Sequence, residues 1–170
     1  MIRNHSAVGG ARHLYLVSMG GFDHHGEQPD QHAALLGQLG AAIGAFWQSV
    51  KAGGFADAVT LFTESDFGRT FKPNASNGTD HGWANQHLVI GGRVKGGQTW
   101  GQYPSLVIGG PDDAAANRWE EQGRWIPSIS VAQYASTLID WFVPGTAKTA
   151  ILPTLSQFPL ASHDVGFMNT

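Results

Sequence analysis

The chain has 170 residues, of which 42% are hydrophobic and only 14% charged, with 23 glycines and no cysteine. This fits one domain over residues 1–170 with enough apolar content for a core, and it excludes a disordered charged tail. The net charge of -3 without a basic run excludes a nucleic-acid footprint, and the lack of cysteine removes disulfides, thiolate metal sites and cysteine nucleophiles together. No apolar run reaches the ~20 residues of a membrane span, and the first residues lack the apolar core of a secretory signal, so neither a membrane nor a signal is expected here.

The first element is the apolar run 13–19, which ends at Gly20-Gly21 and predicts a buried strand. Its polar continuation, residues 22–26, predicts a loop at the strand's carboxyl end. Residues 29–52 predict a helix. Pro29 suits its first turn, and Leu36, Leu39, Ile43, Phe46 and Val50 recur at helical spacing. Gly37, Gly40 and Gly44 each lower its propensity by up to ~1 kcal/mol, which places them where the helix meets a sheet closely. Gly53-Gly54 ends it.

Residues 58–63 predict a second strand that runs into the polar loop 64–69. Residues 72–82, rich in Asn, Ser and Gly, predict a loop. A third strand is expected at 87–90 and a weaker fourth at 105–108. Ser130-Val131-Ala132-Gln133 is a capping box. It opens a helix with Val131, Tyr134, Leu138, Ile139 and Phe142 on one apolar face, stopped by Pro144-Gly145. The tail from Ala150 reads as irregular. Strands alternating with helices predict an α/β sheet, in which ligands bind beyond the carboxyl ends of strands.

Three polar clusters fall at such positions. In Asp23-His24-His25, residues two apart on an extended segment share a side, so Asp23 and His25 can grip one metal while His24 faces away. A carboxylate with an imidazole suits zinc, manganese or iron; the plain alternative is a solvated loop. Asp80 and His81 sit between glycines in Gly78-Thr79-Asp80-His81-Gly82, where both can ligate or one can orient the other; the plain alternative is a turn. Asp66 can serve as ligand or base, and Arg69 can hold a phosphate or sulfate through its planar fork, or the two can be an ordinary surface pair.

No Gly-x-Ser-x-Gly elbow is present, so no serine-hydrolase triad is read. Packing or solvent accounts for His5, His13, His32, His87 and His163; Trp83, Trp100, Trp119 and Trp125 can line a sugar or aryl pocket, with burial the commoner fate of tryptophan. The stretch 91–97 resembles a phosphate loop only in its glycine content.

Taken in order, these blocks resemble the DUF1501 family. Thr63-Glu64-Ser65-Asp66-Phe67-Gly68-Arg69-Thr70 comes first in the match, followed by Gly78-Thr79-Asp80-His81-Gly82 and by Gly91-Gly92-Arg93-Val94-Lys95-Gly96-Gly97. Gly123-Arg124-Trp125-Ile126-Pro127, the capping-box helix and Leu152-Pro153-x-Leu155 follow, and Gly20-Gly21-Phe22-Asp23-x-His25 matches an earlier block. The resemblance spans about Leu14 to Pro159.

That family is grouped with the alkaline-phosphatase-like and sulfatase-like superfamily, and the resemblance implies an exported, periplasmic protein in bacteria. The resemblance implies an α/β/α sandwich with a mainly parallel sheet, of which this chain looks like the C-terminal part, and hydrolysis of a small anionic phosphate or sulfate ester. It implies metal ligands at Asp23, His25, Asp66 and His81, with Asp80 ligating or orienting and Asp66 and Arg69 serving catalysis. A second alignment puts Asp80-His81 on the family's Asp-His pair. The implied cofactor is a divalent metal, zinc first, with manganese, calcium or magnesium as alternatives. The superfamily's nucleophile block has no counterpart here. A non-catalytic binding module, a homo-oligomer or a fragment completed by an N-terminal partner chain are therefore the alternative expectations.

Overall fold

The computed structural model describes residues 2–114 and 121–169. A short helix α1 (His5–Val8) precedes the extended segment and the long helix α2 (Gln28–Ala52). Two small antiparallel sheets follow. Strand β1 (Thr60–Phe62) pairs with β4 (Val89–Gly91), with Leu61 opposite Ile90. Strand β2 (Gly68–Arg69) pairs with β3 (His81–Gly82), with Arg69 opposite His81. Helix α3 (Val131–Phe142) and the short α4 (Lys148–Ile151) complete the order.

The predicted helix after Pro29 forms with nearly the expected bounds. Its glycines do not sit against a sheet, because a methyl group at Gly37, Gly40 or Gly44 would meet nothing within 4 Å. Only Val50 is buried along it. By length and composition this helix is long and apolar enough to cross a membrane, a test that core helices of α/β domains also pass.

The run 13–19 is not a paired strand. It is extended and unpaired, with Leu16 93% and Val17 89% exposed. An apolar sequence can specify a strand, but burial needs neighbours that cover it, and Leu14, Leu16 and Val17 have none among the described residues. The expected fourth strand at 105–108 is also absent. Leu106 has φ 58, in the left-handed region that breaks a strand, and residues 108–110 turn.

Helix α3 forms with its capping box complete. Ser130 Oγ accepts from the Gln133 amide at 3.1 Å, and Gln133 Oε1 accepts from the Ser130 amide at 3.0 Å. Its buried side differs from the apolar face predicted. Ala132, Gln133, Ser136, Thr137 and Leu138 are buried, whereas Val131 is exposed. The reason is the tail, which carries polar backbone against that side. Gln133 Nε2 donates to the Ser162 carbonyl at 2.9 Å, and Thr137 Oγ1 accepts from the Val165 amide at 2.8 Å.

The tail is therefore not irregular. It forms α4 and two 3-10 turns, Pro153–Gln157 and Leu160–Ser162, and it supplies much of the core. Leu155, Phe167 and Met168 are buried, and Leu138, Phe167 and Met168 pack against Phe62, Val89, Val94 and Tyr134. His163, expected in solvent, is buried and its Nε2 lies 3.0 Å from the Phe158 carbonyl. Trp125 is buried as expected, Trp83 and Trp100 are exposed, and Trp119 lies outside the described residues.

His87 lies against Tyr134, ring centroids 5.5 Å apart. Burial holds its pKa below the ordinary value of 6.5, against an opposing pull from Glu64, and burial depresses His32 likewise. A histidine depressed in the folded state takes its proton later than the unfolded chain does. Stability is then full above about pH 6.5 and falls as pH drops through that value toward the folded one. Urea unfolding should weaken between about pH 7.5 and 5.5, and His87→Gln should flatten part of that slope. An identical slope in the variant would remove His87 from the account.

Candidate metal centre

Two loops far apart in sequence are clamped together by backbone contacts. The Glu27 amide donates to the Ser76 carbonyl at 3.0 Å, the Gln28 amide to the Asn77 carbonyl at 2.9 Å, and the Thr79 amide to the His24 carbonyl at 3.2 Å. Asn74 adds a side-chain bond, Nδ2 donating to the His25 carbonyl at 3.0 Å. The approach is possible because residue 78 is glycine: a Cβ there would lie 2.1 Å from the His25 carbonyl carbon. The first loop carries Asp23 and His25 and the second leads into His81.

At this junction the ligand atoms of Asp23, His25 and His81 all lie within 4.8 Å of one another. Asp23 Oδ1 is the common point. His81 Nε2 is 3.0 Å from it, His25 Nδ1 3.2 Å, and the Arg69 guanidinium donates to it at 2.5 Å. The Arg69 hydrogen bond is the largest of the influences that hold the Asp23 carboxyl below the usual range; desolvation opposes it, and His81 and His25 add smaller contributions in the same direction as Arg69. About half of each of the three side chains is exposed, so the cluster opens directly to solvent.

Arg69 does more than neutralise Asp23. Its Nε donates to Thr79 Oγ1 at 2.9 Å, and its second terminal nitrogen donates to the His24 and Thr79 carbonyls. Thr79 Oγ1 in turn donates to Gln28 Oε1 at 2.6 Å. Four of the five donors on a guanidinium are thus committed within the protein. The expected role of Arg69 as an anion clamp gives way to that of a staple across three segments, because these bonds leave the side chain only 15% exposed.

Asp66 and Asp80 are not gathered into the cluster. Asp80 Oδ1 accepts from Asn74 Nδ2 at 3.2 Å, and its amide is held by Thr70 Oγ1 at 3.0 Å, so its place is in the clamp. Asp66 is exposed at the tip of the loop before β2. The next residue reaches the cluster instead: Phe67 stacks on His81, centroids 3.7 Å apart and planes within 11°. Sequence reading missed this contact. It also left His24 without a place beyond the opposite face of the loop, where it is buried edge-on to His32 with its Nε2 unpartnered.

The family model for DUF1501, described as a protein of unknown function, matches residues 5–115, well over half of the chain. The chain belongs to the DUF1501 family. No curated protein and no solved structure matches it. All three gathered residues, together with Phe67, Arg69 and Gly78, fall inside the matched range of this DUF1501 chain, whereas the blocks from Gly123 onward lie beyond it.

The donor set suits a transition metal such as zinc: one carboxylate and two imidazoles, with room for a further ligand from solvent. The Asp23–His81 hydrogen bond stands where an ion would bind, so an ion would take its place. Phosphate-loop chemistry finds no support at 91–97, where the Gly92 amide is already bonded to the Ala56 carbonyl at 2.9 Å and the Lys95 amide to the Phe167 carbonyl at 2.8 Å.

Proposed function

We propose that this chain carries the metal-binding centre of a hydrolase of phosphate or sulfate esters, built on part of an alkaline-phosphatase-like α/β/α fold. The observation that carries the reading is the convergence of Asp23, His25 and His81 from loops more than fifty residues apart. A surface loop of unrelated polar residues has no reason to be clamped at this point. The resemblance of the sequence blocks from Gly20 to Gly97 to a family grouped with such hydrolases supports the same reading.

In this account Asp23, His25 and His81 hold one divalent ion, zinc first. The ion supplies Lewis-acid polarisation of an ester oxygen. Asp23 carries the charge of the site and is kept ionised by Arg69; His25 and His81 present neutral nitrogens. Thr79 is not offered as a nucleophile, since its hydroxyl is held by Arg69 and Gln28.

The test is zinc binding followed by ester turnover. Purified protein should take up about one zinc per chain, and aryl phosphate or aryl sulfate hydrolysis should appear with the ion and vanish on chelation. Zinc uptake without any ester turnover would remove the hydrolase half and leave a metal-binding module.

A fragment completed by another chain is a second reading, with an observation of its own. The apolar segment 13–19 is largely exposed, Leu16 93% and Val17 89%, as expected if another chain covers it. Light scattering of a stable, soluble monomer at high concentration would count against it.

A further inference from the structure

The loop–strand sequence Phe67-Gly68-Arg69 touches the metal centre twice. Residues two apart on an extended backbone project to the same face. Phe67 lies flat on the His81 ring, and Arg69 bonds Asp23 Oδ1 at 2.5 Å. The two contacts are linked, since the Arg69 guanidinium carbon lies 5.7 Å from the centre of the Phe67 ring, within the reach of a cation–π contact.

Gly68 between them permits the arrangement. A Cβ there would lie 1.7 Å from the Ala84 carbonyl oxygen, so only glycine lets β2 come this close to the chain that follows β3. The antiparallel register then sets Arg69 opposite His81.

We propose that Phe67 is a positioning residue of the metal centre, setting the plane of the His81 imidazole beside the Asp23 carboxylate that Arg69 holds. The proposal rests on the metal reading above. His81 is half exposed, and an exposed side chain that must be immobilised to ligate gives up rotamer entropy when the ion binds. A ring already held by a stack gives up less, so the pre-ordered site binds tighter. Phe67 itself is not a ligand.

The experiment compares zinc dissociation constants, by competition with a chromophoric chelator, for wild type, Phe67→Leu and Phe67→Tyr. Proton NMR of the His81 ring in the zinc-free proteins provides a second readout. Phe67→Leu should bind zinc about tenfold more weakly, the usual effect of losing a residue that orients a ligand, while Phe67→Tyr should stay within about threefold of wild type. The His81 ring protons should carry an upfield ring-current shift in wild type and Phe67→Tyr that Phe67→Leu lacks. Should Phe67→Leu fail to fold, Phe67→Met replaces it, a flexible apolar side chain that cannot stack.

Equal zinc affinity in wild type and the non-aromatic variant overturns the proposal while leaving the metal reading intact. An unmoved His81 resonance overturns it as well. A wild type that takes up no zinc is a different failure: it overturns the metal reading, and this proposal with it.

Discussion

Gly78→Ala should lose both stability and zinc binding. Residue 78 is buried, and a methyl group there would sit 2.1 Å from the His25 carbonyl carbon and 2.3 Å from the Gly26 nitrogen. Both neighbours are backbone atoms, so no side chain can swing aside. The 24–28 segment must move off the 74–79 loop, and with it go the bonds between Thr79 and His24, Glu27 and Ser76, and Gln28 and Asn77. Overpacking of this kind costs about 1–3 kcal/mol, and losing the backbone bonds places the variant at or above the top of that range. The same displacement separates His25 from His81, so zinc affinity should fall by more than about tenfold. Gly96→Ala is the control, since a methyl group there meets nothing within 4 Å. Urea unfolding and zinc titration of both variants check the prediction; a Gly78→Ala protein that matches Gly96→Ala in both would remove the clamp from the account.

The clamp also explains what the sequence could and could not reveal. Residue types and spacing pointed to Asp23, His25 and His81, because carboxylates and imidazoles among glycines at strand ends are suggestive wherever they occur. Which of the candidates meet is a tertiary fact. Asp66 and Asp80 had the same chemistry and local context, yet Asp80 is held by Asn74 and Asp66 stays at a loop tip. The planar fork of Arg69 suits an anion clamp, and its spacing suits an ordinary surface pair with Asp66 as well. The bonds to the His24 and Thr79 carbonyls that occupy it depend on how two distant loops dock.

Local signals were legible where they carry their own partners. The Ser130–Gln133 capping box is closed within four residues, and it forms as read. Helix α2 likewise follows from Pro29 and its apolar spacing. The apolar face of α3 was misjudged because burial there is decided by the tail, whose backbone bonds to Gln133 and Thr137 have no trace in helical periodicity. A short apolar run closed by Gly20-Gly21 predicts burial for 13–19, whereas Leu16 and Val17 are exposed. Composition records what a segment would gain from burial; whether a neighbour covers it is settled elsewhere in the assembly.

Asp23→Ala should abolish zinc binding, and the comparison with Asp23→Asn separates charge from geometry. One carboxylate oxygen is the meeting point of Arg69, His25 and His81. Alanine removes the ligand and leaves a guanidinium beside two imidazoles with no anion among them. Zinc affinity should fall more than about a hundredfold, beyond the usual loss for a residue that merely orients a ligand. Asparagine keeps an oxygen for Arg69 and preserves the shape of the loop, so it should fold like wild type while still losing most of the affinity, since a neutral amide is a poor ligand for a divalent ion. Acid should act in the same direction. Arg69 holds the Asp23 carboxyl below its ordinary value of 3.8, so the charge and its contribution to stability persist above that value and are lost only as pH falls through the lower, folded one. Metal release on acidification from neutral pH should therefore begin while the Asp23 carboxylate is still charged. Zinc titrations at stepped pH would check this. Retention of zinc by Asp23→Asn at wild-type affinity would show that the two histidines bind without the carboxylate, and the three-residue centre would have to be redrawn.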